Sequence, residues 1–218
     1  MDIKVDKNTV VVFDLDDTLY NEIDYLKSAY IFIAKKLDSN NWKQLYSFMF
    51  SLYRNKENVF DIISEKYSIS KIELIESYRN HKPNITLFDG VLNVFKAIIN
   101  KGAKIGIITD GRNIAQTNKI EALKIKQFID FICISENIGT EKPSENNFKF
   151  IEDNLPAKKY YYLGDNLKKD FIAPNTLGWK TIALIDNGLN IHSNSFKYLT
   201  PPHLPDNFIL SIKELNVV

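Results

Sequence analysis

An α/β fold is predicted: a doubly wound, Rossmann-like parallel sheet whose first strand is cut off from the rest by a small all-helical insert. Three features of the sequence predict it. Short, continuously apolar runs recur at 9–13 (TVVVF), 104–109 (KIGIIT), 131–135 (FICIS), 160–164 (YYYLG) and 180–184 (KTIAL), as expected of strands buried on both faces. From the second run onward, helical segments alternate with them, the rhythm of a parallel sheet. Between the first and second runs, residues 21 to about 82 contain no Gly or Pro and place apolar residues at helical spacing.

The elements follow in order. Leu26, Ala29, Tyr30, Ile33 and Leu37 mark a first insert helix, interrupted by DSNN at 38–41 before a second run from Trp42 to about Tyr53. Val59, Phe60, Ile62, Ile63 and Tyr67 predict a third, and Ile72, Leu74, Ile75 and Tyr78 a fourth. A helix near 90–101 should end at Gly102 in a left-handed cap. Further helices are expected around 113–124, 145–154 and 169–177, the last closed by Gly178. Residues 186–205, with scattered Asn, Gly and Pro, read as loop. NFIL (207–210) predicts an edge strand and SIKEL a short final helix.

Composition narrows the function. Lys plus Arg number 28 against 27 Asp plus Glu, a net charge of +1. That balance argues against a nucleic-acid or anionic-membrane partner, which calls for a basic excess. No run approaches the 18 or so apolar residues of a membrane span, and the N-terminus MDIKVDKNT lacks the apolar segment of a signal peptide. The single cysteine, Cys133, lies in an apolar run and reads as a small buried hydrophobe. A soluble, cytoplasmic protein is expected.

The chemistry gathers at strand ends, where open α/β sheets bind ligands. Asp14, Asp16 and Asp17 follow the first strand, Thr109-Asp110-Gly111 the second, and Gly164-Asp165-Asn166 the fourth, with Asp170 five residues beyond Asp165. Lys142-Pro143 lies in the loop after the third. Like charges so close destabilise one another, and a hard divalent cation makes them tolerable; Mg²⁺ takes one or two carboxylates with waters and substrate phosphate. A carboxylate can attack phosphorus, while a lysine, a threonine hydroxyl and turn amides neutralise the phosphoryl oxygens. In extended chain, residues i and i+2 point the same way, which suits Asp14 as nucleophile and Asp16 as general acid and base.

These motifs, Asp14-Leu15-Asp16-Asp17-Thr18, Thr109, Lys142-Pro143 and Gly164-Asp165 with Asp170, resemble the four ordered motifs of the haloacid dehalogenase (HAD) superfamily. The likeness covers essentially the whole chain. It implies a core domain of residues 1–20 and 84–218, and a helical cap of residues 21–83 inserted between the first two motifs. It further implies Asp14 as nucleophile and magnesium ligand, and Asp16 as acid and base with its backbone carbonyl on the metal. Thr109, Asp110, Gly111 and Lys142 would hold phosphate, and Asp165 would complete the metal site. Asp170 and Asn166 would support these groups from behind. Asp17 reads as a turn or cap residue. Pro174, inside the helix after the fourth motif, departs from the small residues common there.

The expected activity is that of a Mg²⁺-dependent phosphatase acting on a small phosphorylated metabolite through an aspartyl-phosphate on Asp14. A phosphomutase or phosphotransferase would use the same residues. A dehalogenase would need neither metal nor acid, so Asp16 and Asp165 argue against it. A non-catalytic binding protein should have lost the nucleophile or the metal ligand, and neither is lost. His81, His192 and His203 lack ligand spacing, Trp42 to Tyr53 reads as packing, Tyr160 to Tyr162 as plain strand, and Arg112 as solvent-facing.

Overall fold

The computed structural model describes residues 1–218. A two-residue strand, β1 (Asp2–Ile3), precedes β2 (Thr9–Phe13), whose five residues are all buried because TVVVF has no polar face to offer water. Four helices follow: α1 (Glu22–Leu37), α2 (Trp42–Arg54), α3 (Val59–Tyr67) and α4 (Lys71–Arg79). Strand and helix then alternate through α5 (Val91–Asn100), β3 (Lys104–Thr109), α6 (Asn113–Ala122), β4 (Phe131–Ile134), the short α7 (Ser135–Ile138) and α8 (Glu145–Asn154). The chain closes with β5 (Lys159–Gly164), α9 (Ile172–Thr176), β6 (Lys180–Leu184), β7 (Asn207–Ile209) and β8 (Asn216–Val217).

Six strands form one parallel sheet in the order β4-β3-β2-β5-β6-β7. From β2 the chain steps outward through β3 and β4, then crosses to β5 and steps outward the other way. The reversal beside β2 opens a crevice at the carboxyl ends of the strands. Phe13 lies in register with Ile107 on one side and Leu163 on the other, so Asp14, Thr109 and Asp165 emerge side by side.

Alternation along β2 divides the core in two. Val11 and Phe13 face a cluster with Phe95, Ile98, Ile105 and Ile107, under α5. Val10 and Val12 face another with Phe148, Ile151, Tyr162 and Trp179, under α8 and α9. The four insert helices have a cluster of their own: Leu26, Tyr30, Ile33, Ala34, Leu45, Met49, Val59, Ile63 and Leu74. The aromatic run of α2 packs against it. Gly102 and Gly178 both take φ +75°, the left-handed helix ends their positions predict.

The elements differ from the sequence reading in three places. β1 pairs with β8 in a separate two-stranded sheet, tying the ends of the chain together; strands this short carry no periodicity to detect. The helix expected from 169 begins at Ile172, because residues 165–170 form a turn closed by the Asp170 carboxylate, which accepts from the Asp165 and Asn166 amides. SIKEL gives a single 3₁₀ turn, Ile212–Glu214, rather than an α-helix. Pro174 is the third residue of α9, among the first four amides that have no partner within a helix, so it breaks no hydrogen bond there.

Candidate active site

Asp14 extends the β2–β5 ladder by one bond, its amide donating to Leu163 O at 2.8 Å. That bond fixes the direction of its carboxylate, which meets Lys142 Nζ at 2.6 Å. Lys142 arrives from the loop after α7 and also meets Asp170 Oδ1 at 2.8 Å. Ligand oxygens of Asp14, Asp165 and Asp170 lie within 4.8 Å of one another. Burial, with Asp170 and Asp16 adding to it, pushes the Asp14 carboxyl up to about 7 despite Lys142. Burial, Asp170 and Asp14 push Asp165 well above the usual carboxylate range. Burial disfavours the Lys142 ammonium, but Asp14 and Asp170 outweigh it and hold that group above its ordinary value. Three carboxylates around one lysine leave room for a further cation.

Asp170 has both oxygens engaged, Oδ1 by Lys142 and Oδ2 by the amides of Asp165 and Asn166 at 3.2 and 2.9 Å. It therefore buttresses the cluster, and Asp14 and Asp165 are the side chains fit to hold a divalent cation. Asn166 shapes the same turn: its Oδ1 accepts from Lys168 N and its carbonyl from the Lys169 and Asp170 amides. Gly164 is needed here, since a Cβ would stand 2.5 Å from Asp170 Oδ2.

At the end of β3, the strand paired with β2, the Thr109 hydroxyl is fully buried and has no hydrogen-bond partner. Unpaired buried polar atoms are few in native proteins and call for a ligand or water. The rest of the turn makes contacts of its own. The Asp110 carboxylate accepts from Lys142 N at 3.1 Å and from Lys169 Nζ at 2.7 Å, so it anchors the lysine loop. The Gly111 amide is taken by Ser135 Oγ at 2.9 Å.

Asp16 points to a different set of groups. Lys119 Nζ meets it at 2.7 Å, Gln116 Nε2 donates to it at 3.1 Å, and so does the Tyr20 hydroxyl. Burial works to raise this carboxyl, but Lys119 and these hydrogen bonds together hold it below its ordinary value. Gln116 and Lys119 are one turn apart on α6 and both buried. Neither lies at a strand end, so sequence reasoning passes over them. A trace exists: Ile114 is exposed on the same helix while these polar residues are buried, the reverse of an ordinary amphipathic pattern.

Two further residues escaped the sequence reading. Tyr162 lies on β5, its hydroxyl 3.1 Å from Lys142 Nζ and 3.5 Å from Asp170 Oδ1. Asn190, in the loop after β6, donates to Asp165 Oδ2 at 2.9 Å. Asp17 is indeed a turn residue, with φ +56°. Its carboxylate accepts from Glu22 N at 2.7 Å and Ile191 N at 2.8 Å, joining the start of α1 to the loop after β6. Burial pushes it up to about 6 against those two bonds. Arg112 is exposed and paired with Glu136 at 2.6 Å.

A parallel sheet with acids at the carboxyl ends of adjacent strands and a lysine between them defines a hydrolase site of one family. Residues 11–184 match the model of the haloacid dehalogenase-like hydrolases, and the chain belongs to that family. It is 26% identical to a glyceraldehyde 3-phosphate phosphatase of Methanocaldococcus jannaschii over 94% of each chain. It is 27% identical to the pyrophosphatase PpaX of Bacillus mycoides over 82% of this chain and 84% of that one. Among solved structures it resembles magnesium-bound YfnB of Bacillus subtilis, with a TM-score of 0.66, 17% identity and coverage of 94% and 96% of the two chains. No helix is long and apolar enough to cross a membrane.

Proposed function

We propose that this hydrolase is a magnesium-dependent phosphatase that cleaves a small phosphorylated metabolite through an aspartyl-phosphate on Asp14. The observation that carries the reading is the Asp14 carboxylate at the end of β2, held by Lys142 at 2.6 Å, with the buried, unpartnered Thr109 hydroxyl at the end of the adjacent strand β3. An oxygen of ionised Asp14 attacks phosphorus as the bond to the leaving oxygen breaks, and Asp16, in its protonated form, gives that oxygen its proton. Water then attacks the phosphorus, Asp16 takes its proton, and phosphate leaves as Asp14 is restored. Lys142 and Thr109 hold the phosphoryl oxygens. Asp14, Asp165 and the Asp16 carbonyl would bind Mg²⁺, which when present neutralises charge on the transferring group. Relatives named for phosphatase and pyrophosphatase activities support the reaction class. The helical segment 21–83 acts as a cap over the leaving group, and no residue assigned to the chemistry belongs to it.

The test is turnover of p-nitrophenyl phosphate with Mg²⁺. Asp14→Asn, nearly isosteric, should lose activity by a factor of about 10³ or more, and EDTA should abolish wild-type turnover. If the variant kept a tenth of wild-type activity, or EDTA had no effect, the mechanism would be wrong.

A further inference from the structure

Gln116 is 3% exposed, and its amide is only half satisfied. Nε2 donates to Asp16 Oδ2 at 3.1 Å and to Asp110 O at 2.7 Å. Both partners are acceptors, so they fix which end of the amide is which. The carbonyl oxygen, Oε1, is buried with no donor. The side chain lies across Gly111, where a Cβ would come within 2.6 Å of Nε2. The phosphate turn is therefore built to let this amide reach Asp16. A thioether or aliphatic side chain on this face would leave no orphan acceptor, yet the chain keeps one beside its proposed proton donor.

The two ends of an amide are roughly 2.3 Å apart by standard covalent geometry. Oε1 thus lies within about 5.5 Å of the Asp16 carboxylate oxygen, by adding that span to the 3.1 Å hydrogen bond. On the reading that Asp16 meets the leaving oxygen, this distance puts Oε1 within reach of a substituent on the next carbon. The Asp16 carboxylate and the Asp110 carbonyl are taken up by Nε2, and the Lys119 ammonium by Asp16. A ligand can satisfy Oε1 only by donating.

We propose that Gln116 determines specificity: its Oε1 accepts from a hydroxyl on the carbon adjacent to the phosphate ester, so that hydroxylated alkyl phosphates are preferred. A carboxylate in that place would set acceptor against acceptor. The proposal rests on the phosphatase reading. It adds the class of leaving group: an alcohol with a neighbouring hydroxyl, rather than a plain or carboxylated one. A site that bonds a substrate hydroxyl discriminates strongly against the analogue lacking it, because its own polar group is then left unpaired.

The experiment measures kcat/KM with Mg²⁺ for 2-hydroxyethyl phosphate, ethyl phosphate, phosphoglycolate and p-nitrophenyl phosphate, on wild type and Gln116→Met. In wild type, 2-hydroxyethyl phosphate should exceed ethyl phosphate by about tenfold or more, and phosphoglycolate should be the poorest of the three alkyl esters. Gln116→Met removes the Nε2 bond to Asp16 as well, so its absolute rates should fall on all substrates. The hydroxyethyl-to-ethyl ratio should nonetheless collapse to about one, because only that ratio reports on Oε1. Should the variant fail to fold by circular dichroism, the wild-type ratios decide alone. A wild-type ratio near one, or a ratio that survives in Gln116→Met, overturns the inference and leaves Oε1 to water. Absence of turnover on p-nitrophenyl phosphate overturns the phosphatase reading and this inference with it.

Discussion

Three donors converge on the Asp16 carboxylate: Lys119 Nζ at 2.7 Å, Gln116 Nε2 at 3.1 Å and the Tyr20 hydroxyl. The charge of Lys119 matters most, because it opposes the burial that would otherwise raise the Asp16 carboxyl. Lys119→Met keeps the length of the stem and removes the ammonium. Burial is then less opposed, so Asp16 binds its proton more tightly and is ionised only at higher pH. In the proposed mechanism the group must be ionised to take a proton from water, so the acid limb of the kcat profile should move to higher pH. On that limb a shift of one pKa unit costs the variant about tenfold more than wild type at the same pH. An unchanged profile would mean that Lys119 serves the fold and leaves the proton carrier untouched.

Among elements, α6 and the insert helices divide the work. α6 turns Gln116 and Lys119 toward Asp16, while its Asn118 donates to the carbonyls of Asn80 and His81 at 3.3 and 3.2 Å. It therefore holds both the Asp16 carboxylate and the second connection of the insert. A second tie at that connection runs from α1, where Ser28 Oγ bonds the His81 ring at 2.8 Å and accepts from Asn84 N at 2.9 Å. Of the aromatic run of α2, Trp42, Tyr46, Phe50 and Tyr53 pack, partly buried, against the cluster around the fully buried Met49, while Phe48 is exposed. If residues 21–83 form a cooperative unit, Met49→Ala should destabilise that unit by about 2–4 kcal/mol, the usual cost of such a cavity. Hydrogen exchange should then show protection falling across α1 to α4, while amides of β2, β3 and β5 keep theirs. Equal loss in the sheet would mean that insert and core open together.

For the whole molecule, the carboxylate cluster sets how stability depends on pH and metal. The Asp14 carboxyl is raised to about 7, mainly by burial, from an ordinary value of 3.8, and Asp165 is raised as well. Such a group binds its proton more tightly folded than unfolded. Its stabilising contribution is complete below the unfolded value and is lost as pH rises through about 7. A cation that binds the ionised carboxylates restores what is lost, and competes with protons below that range. Scanning fluorimetry should therefore show Mg²⁺ raising Tm more at pH 8 than at pH 5.5, relative to EDTA at each pH. A larger rise at pH 5.5, or none at pH 8, would count against these carboxylates as the metal site.

The sequence by itself determined the parallel sheet, the helical insert and the strand-end positions of Asp14, Thr109 and Asp165. Each follows from short-range pattern: β-branched runs, helical spacing, and polar residues at the point where a strand stops. Lys142 was legible because a known set of ordered motifs contains it, though nothing in its own neighbourhood reveals the 2.6 Å bond to Asp14. Only the tertiary structure decided who meets Asp16. Gln116 and Lys119 lie 100 and 103 residues from it, on a helix whose rotation about its axis is set by packing against the sheet. The same holds for Lys169 on Asp110, Asn190 on Asp165, and the pairing of β1 with β8 across the length of the chain. Local periodicity specifies which element forms. The partner a side chain finds depends on how separately formed elements dock, and no single stretch of chain records that.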